Sequence, residues 1–354
     1  MTKGKILPKI LAREAGRQSF ATSVDVACRA GVSQSAVSLV FAGKATGRVT
    51  RKTQETIFKA ARELGYRPNR AAQALRLGSS HFILLAVPDV SNPYFASVLQ
   101  GAEATARQHG YSVMLGSIRD QEDWQNVVID ALSSRSVDGF LVFAMSPPSV
   151  KERIAIQGRA VLVDEMSEEL PFLWLDIQGG MRAAVDHLIN LGHTRIGHLA
   201  AAVDAETFRV RYRAYLETLR KAGISANSMY QARSSFEVTD ASKAASSILR
   251  CSAPPSAIVC DSDVLAVGVY KAAREEGLSI PRDLSVVGFD DSSVARVVHP
   301  ELTTVAIPTS VIGQRAVQLL LSVLAARQVP LQTVVPLELV VRASTAEPSG
   351  MGAR

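Results

Sequence analysis

Residues 22–76 alternate short amphipathic segments with glycine- and serine-bearing breaks, and from residue 82 the pattern changes to apolar runs separated by longer helical stretches. In the first segment Val24, Val26 and Ala27 give one apolar face, and Gly31 breaks the helix where a tight turn must follow. Ser33 is placed to cap a second helix whose expected buried residues are Ala36, Val37 and Val40. Gln34, Ser35 and Leu39 then project outward, as the second helix of a helix-turn-helix does when it enters a DNA major groove. A glycine-bearing loop over 41–50 leads to a third helix, capped by Thr50 and running about 51–64, with Ile57, Phe58, Ala60, Ala61 and Leu64 closing a small core. Gly65 ends it, residues 66–69 turn, and Asn69 is set to cap a short helix over 70–76. Such a segment is too short to be stable alone, which marks it as a hinge that forms against a partner or on DNA.

Residues 82–89 form a continuous apolar run with a polar end, as expected of a parallel strand buried on both faces. Further strands are expected at 111–115, 139–143, 160–163, 195–200, 257–260 and 284–289. Helices are expected at about 93–109, 121–133, 179–191, 208–222, 239–249 and 264–276. This alternation predicts a doubly wound α/β fold in two lobes. In such sheets ligands sit outside the carboxyl ends of the strands, so polar residues just after each strand are the candidates for a binding cleft.

Charge sharpens the division. Residues 1–80 hold 15 Lys and Arg against four acids, a net of +11, whereas the whole chain carries +6. A basic head on an acidic body is the footprint expected when only the head meets phosphate. A length of 354 residues suggests two or three domains, and a hydrophobic fraction of 47% excludes general disorder. Cys28, Cys251 and Cys260 lack metal spacing and are expected to be reduced and mostly buried in a cytoplasmic protein. The chain shows no secretory apolar region near its N-terminus and no apolar run approaching the length of a membrane span. Residues 1–20 are basic without a strong pattern; a DNA-contacting arm, an artefact of the start codon and a short helix all remain open.

The strings Val24-Asp-Val-Ala, Ala30-Gly-Val-Ser and Leu64-Gly-Tyr-Arg-Pro-Asn69, then Val87-Pro-Asp-Val-Ser-Asn-Pro-Tyr-Phe95, occur in this order. They are followed by Leu191-Gly-His-Thr-Arg-Ile196, Ser262-Asp-Val-Leu-Ala-Val-Gly268, Val286-Val-Gly-Phe-Asp-Asp291 and Pro300-Glu-Leu-Thr-Thr304. Over about residues 22–345 the chain thereby resembles the lactose repressor/galactose repressor (LacI/GalR) family of bacterial transcription regulators. The fold class implied is a small all-α helix-turn-helix head plus a two-lobed α/β body like a periplasmic binding protein. The expected divisions are a basic extension (1–21), the helix-turn-helix domain (22–68), a hinge helix and linker (69–80), an effector-binding and dimerisation domain (81–345) and a tail (346–354).

The resemblance implies a homodimer on double-stranded, palindromic operator DNA, most often as a repressor. The DNA-facing set it implies comprises Ser33, Gln34, Ser35, Ser38 and Leu39 in the head, and Asn69, Arg70, Ala72 and Leu75 in the hinge. By this similarity Leu75 wedges into the central base step from the minor groove, or else joins the two hinge helices. Gln34 is suited to adenine and Ser35 is permissive. Leu39 departs from the arginine that many relatives carry there, and the loop 43–48 looks longer than in the lactose repressor, so the operator sequence is not carried over.

For the effector cleft, Asp164, Arg211 and Asp290 stand out both as strand-end or helix-start residues and by similarity. Two carboxylates and a guanidinium converging between lobes suit the hydroxyls of a sugar or related polyol. Asp89, Ser262 and Asp263 lie at further strand ends, and Tyr94, Phe95 and Phe236 offer stacking faces. The plainer alternatives are that Asp290 caps the following segment, that Arg211 pairs with Asp164 or Asp290, and that Tyr94 and Phe95 are core.

An enzyme is disfavoured. Gly43-Lys44 lacks the upstream glycine a P-loop needs, where Ser38 stands, and there is no Gly-x-Ser-x-Gly elbow or Cys/His zinc cluster. His193 and His198 are expected to flank the strand 195–200 as structural residues. No catalytic residue, metal or cofactor is implied. A transport solute-binding protein shares such a body but has no use for the basic head, so the N-terminus discriminates against it.

Overall fold

The computed structural model describes residues 21–67, 79–88, 90, 93–117, 136–143 and 158–349. The chain divides into two compact units, Met1–Ser80 and His81–Arg354. The expected hinge helix with Asn69, Arg70, Ala72 and Leu75, the expected helix at 121–133, and Asp89 lie outside the described residues.

The first unit contains α1 (Ser23–Ala30), α2 (Gln34–Phe41) and α3 (Arg51–Glu63). Thr22 and Asp25 form a reciprocal capping box at the start of α1, with the Thr22 N–H donating to the Asp25 carboxylate at 2.8 Å. Gly31, at φ +66°, closes α1 in the left-handed region that a residue with a Cβ enters only with strain. The Ser33 hydroxyl accepts from the Ala36 N–H at 3.2 Å, and Thr50 does the same for the Thr53 N–H at 3.3 Å. Val26, Ala27, Val37, Val40, Ala45, Ile57, Ala60 and Ala61 make the core.

Several sequence expectations for this core need correction. Val24 is exposed, because two residues along a helix turn about 200° and separate it from Val26. Ala36 is only half-buried. Phe58 and Leu64 are exposed as well: Phe58 lies at the rim, edge-on to Phe41 at 5.5 Å, and Leu64 is the C-cap of α3. Cysteine burial also differs, since Cys28 is exposed and only Cys260 is fully buried.

The second unit is built on two six-stranded sheets. One has the order β2 (Ser112–Ser117), β1 (Phe82–Val87), β3 (Gly139–Val142), β4 (Ala160–Val163), β5 (Phe172–Leu175) and β11 (Gln332–Val335). The other repeats that order with β7 (Gln231–Ser234), β6 (Ile196–Ala201), β8 (Ala257–Cys260), β9 (Ser285–Asp290), β10 (Thr303–Ala306) and β12 (Glu338–Val340). All pairings are parallel except β10 with β12. Strands β5, β7, β10, β11 and β12 were not anticipated, nor was the helix α9 (Thr309–Leu324).

Helices α4 (Pro93–Gln108) and α9 pack together on the first sheet, so closely that a Cβ at Gly101 or Gly313 would run into the facing helix's backbone. Helices α5 (Ile177–Asn190), α6 (Glu206–Lys221), α7 (Val238–Leu249) and α8 (Asp263–Glu275) serve the second sheet. The chain passes between the lobes three times, near Asp176, near Ile307 and Pro308, and near Pro336. His193 and His198 differ in role from each other. His193 bonds Ser256, Ser285 and the Ala346 carbonyl ahead of β6, whereas His198 lies within β6 rather than beside it.

Candidate functional site

In the head, Ser33, Gln34 and Ser35 are exposed at the start of α2, and Ser38 and Leu39 are half-buried one turn on. Ser33 has its hydroxyl engaged as the cap. Gln34 Nε2 donates to Ser23 Oγ at 3.0 Å, so its amide is held across the turn between α1 and α2. The Arg29–Glu63 ion pair at 2.9 Å ties α1 to α3, although exposed pairs of this kind contribute only up to about 1 kcal/mol. Arg51 and Lys52, exposed at the start of α3, add positive charge without a carboxylate in the same turn.

In the body, the carboxyl ends of the two sheets bring polar groups from both lobes together. Asp164 follows β4, Tyr94 lies in the first turn of α4, Thr207 and Arg211 lie in the first turns of α6, Asp261 follows β8, and Asp290 ends β9. Asp164, Asp290 and Asp291 have φ of +58°, +116° and +51°. Such backbone strain on non-glycine residues is concentrated at binding and catalytic sites.

Arg211 anchors the set. Its guanidinium is buried, lies 3.8 Å from the centroid of Phe289 and 5.1 Å from that of Phe208, and donates through Nη1 to the Asp261 carbonyl. Its Nε is buried without a partner among the described residues. An unsatisfied buried donor costs about 1–3 kcal/mol. The alternative in which Arg211 pairs with Asp164 or Asp290 gives way to stacking on Phe289 and a bond to a backbone carbonyl.

The carboxyl groups around it are short of counter-charge. Burial raises Asp164 to about 7, only partly offset by Arg211 and Thr207. Burial also raises Glu165 to about 7, with Asp164 and Glu206 adding repulsion. Asp290 is raised well above the usual carboxylate value by burial, against the pull of Arg211. Burial raises the Tyr94 phenol as well, with further upward contributions from Asp164 and Asp290 and a downward one from Arg211. These mutual effects link β4, α4, α6 and β9 across the two lobes.

The remaining candidates fall outside this group. Phe95 is buried in the core, edge-on to Phe143 at 5.2 Å. Phe236 is exposed, with its ring 5.9 Å from that of Phe208. Ser262 is buried and caps α8 by accepting from Leu265 N–H. Asp263 is fully buried and accepts from Ser292 N–H at 2.7 Å, Ser292 Oγ at 2.9 Å and Thr304 Oγ1 at 2.6 Å, a saturated brace between α8, β10 and the turn after β9. Sequence reasoning passed over Asp261, Glu165 and Thr207. Asp261 directly follows the strand 257–260, so the same strand-end argument that selected Asp290 points to it.

The sequence matches the profile of bacterial regulatory proteins of the lacI family over residues 23–69, and that of a periplasmic binding protein-like domain over 185–345. It is 33% identical over 335 residues to the HTH-type transcriptional repressor CytR of Escherichia coli strain K12, covering 93% of this chain and 97% of that one. The chain belongs to the lacI family. It is a transcriptional regulator with a helix-turn-helix head and a periplasmic-binding-protein-like body.

Among other lacI-family relatives, the HTH-type transcriptional regulator MalR of Streptomyces coelicolor is 34% identical over 92% of this chain and 97% of its own. The structure of the Lac repressor dimer bound to operator and the anti-inducer ONPF superposes with a TM-score of 0.83 at 27% identity, covering 93% of this chain and all of that one. The regulator CelR in complex with cellobiose superposes with a TM-score of 0.67 at 26% identity, covering 92% of this chain and 99% of that one. Among the described residues no helix is long and apolar enough to cross a membrane.

Proposed function

We propose that this lacI-family regulator is a cytoplasmic repressor of carbohydrate-utilisation genes that binds a palindromic operator as a homodimer and answers to a sugar or sugar derivative. The observation that carries the effector reading is Arg211: a buried, stacked guanidinium with an unpaired Nε, facing carboxyl groups that burial has pushed up in pKa. Such a set suits a neutral polyol, whose vicinal hydroxyls donate to Asp164 and Asp290 and accept from Arg211. Tyr94 and Phe236 are assigned to the walls of this site, and Asp89, at the end of the apolar run 82–89, is carried from the sequence as a further candidate. The CelR complex with cellobiose supports the ligand class, and the Lac repressor dimer on its operator supports the DNA arrangement.

On DNA, Gln34 and Ser35 read bases while Ser33, Ser38 and Leu39 shape the contact, and the hinge residues Asn69, Arg70, Ala72 and Leu75 engage the minor groove. The effector acts through the difference in its affinity for two arrangements of the lobes, and biases operator affinity by no more than that difference. The protein performs no catalytic step.

The test is footprinting on genomic fragments at rising salt, with and without a panel of mono- and disaccharides. A protected palindrome, lost steeply with salt and released by one sugar, is the expected result. Protection without two-fold symmetry, or indifferent to salt and to every sugar, would overturn the reading.

A further inference from the structure

Beside the cleft, a separate cavity of about 300 Å³ opens between α6 and the sheet edge formed by β6 and β7. His198 pairs in register with Gln231, and Ala200 with Arg233, so the period-two alternation of strands puts all four on one face of the sheet. The side chain of Ala200 is too small to fill the space beside Arg233, and Phe208 and Tyr212 of α6 wall the hollow this leaves.

Its inner end is chemically defined. His198 is buried, and its Nε2 lies 2.9 Å from Asp261 Oδ1, while Asp261 Oδ2 accepts the Ala201 N–H at 2.9 Å. In the neutral ring, donation of Nε2–H to the carboxylate leaves Nδ1 presenting a lone pair. That Nδ1 is buried and without a partner among the described residues. The imidazole is stacked on Tyr212 (5.9 Å, 14°) and Tyr215 (4.9 Å, 28°), and Tyr212 OH donates to Gln231 Oε1 at 2.9 Å, so the ring is not free to turn toward another acceptor or donor.

The outer end is cationic. Arg233 is exposed, its guanidinium contacts only the Ala201 carbonyl at 3.3 and 3.4 Å, and it pairs with no carboxylate among the described residues. Arg209, by contrast, is taken up by Asp204 and Glu206. Arg233 stands two residues along the paired strands from the level of His198, about 6.6 Å, which is close to the reach of one substituted benzene ring.

We propose that this cavity is a second ligand pocket, built for a small hydroxyaromatic carboxylate. Its phenolic hydroxyl donates to His198 Nδ1, its ring lies against Tyr212 and Phe208, and its carboxylate pairs with Arg233. Occupancy reaches the cleft through shared walls, because the Asp261 carbonyl holds Arg211 and the Phe208 ring lies under the same guanidinium.

Calorimetry on the full chain with 4-hydroxybenzoate, benzoate and phenol tests it. The expected result is one saturable site per chain for 4-hydroxybenzoate, with benzoate and phenol each weaker by about tenfold or more, the factor expected when one charge-assisted or buried hydrogen bond is lost. Arg233→Gln, an exposed substitution, should bring 4-hydroxybenzoate down to the level of phenol, and His198→Leu should erase its advantage over benzoate. Asp290→Asn, in the cleft, should leave a saturable site and the ranking of the three compounds in place. No saturation at tens of millimolar, equal binding of the three compounds, or loss of binding in Asp290→Asn would each overturn the proposal. If His198→Leu does not fold, the ranking on the unmodified protein and the Arg233→Gln result decide.

Discussion

Arg211 lies 3.8 Å above the ring of Phe289, the penultimate residue of β9, and the next residue, Asp290, ends the strand at φ +116°. The same strand end therefore fixes the plane of the guanidinium and sets a carboxyl group beside it. A planar, always-charged group stacked in this way is preorganised for a polar ligand, with little side-chain entropy left to lose.

Arg211→Lys keeps the positive charge but removes the flat stack and the fork of donors. Operator affinity in the absence of effector should stay within about twofold, while the sugar concentration for half-release rises by about tenfold or more, equivalent to roughly 1.4 kcal/mol. Fluorescence anisotropy with a labelled operator reads both. An unchanged half-release concentration would place the effector elsewhere.

Asp164 and Glu165, both raised to about 7 in the folded body, bind more protons there than in the unfolded chain between their ordinary values near 4 and that point. Their contribution to stability is therefore full at low pH and is lost as pH rises through about 7. Asp164→Asn removes the ionisation, so its Tm in the absence of effector should gain on that of the unmodified protein between pH 5 and pH 8. A Tm difference that stays constant across this range would contradict the assignment.

Asp263, although it directly follows a strand-end turn, is braced by three hydrogen bonds from Ser292 and Thr304 and is best understood as structural. Asp263→Ala should lower the stability of the body by about 2–4 kcal/mol, since it leaves the buried Thr304 hydroxyl and the half-buried Ser292 donors unpaired. Urea denaturation measures the loss. A stable variant with weakened effector response alone would return Asp263 to the cleft.

The helices of the head were legible in the sequence because caps and breakers mark their ends: Thr22, Gly31, Ser33 and Thr50 each do locally what their residue type favours. Side-chain burial within them was less legible. Val24 and Phe58 are apolar but sit on the flank of short helices where the three-helix core no longer reaches. In the body, the buried central strands announced themselves as apolar runs, whereas β7, with sequence Gln-Ala-Arg-Ser, and β11 are edge strands with polar or exposed positions. Strand-end and helix-start logic put Asp164, Asp290 and Arg211 among the candidates, and the fold sets their charges close enough to act on one another. That logic did not separate Asp263, whose three hydrogen bonds come from two distant residues, Ser292 and Thr304, from Asp261, whose carbonyl holds Arg211. The His198–Asp261 pair joins residues 63 apart on neighbouring strands, and only the sheet register brings them together.

On the DNA side, Gln34 is the exposed amide at the start of α2, and Lys52 is an exposed cation at the start of α3. Gln34→Ala should change base preference at one position of each half-site, with about 1–3 kcal/mol lost on the preferred base. Lys52→Ala should weaken all sequences alike and reduce the salt slope by about one. Selection from a randomised operator library, repeated at two salt concentrations, separates the two outcomes; a sequence-dependent effect of Lys52→Ala would contradict them.

The most direct measurement is operator release by sugar, read by anisotropy on the selected palindrome for the unmodified protein and for Asp290→Asn in parallel. One sugar should release the unmodified protein at a concentration that leaves Asp290→Asn bound, with equal operator affinity for both when no sugar is present. Release of both proteins at the same sugar concentration would contradict a cleft built on Arg211 and Asp290.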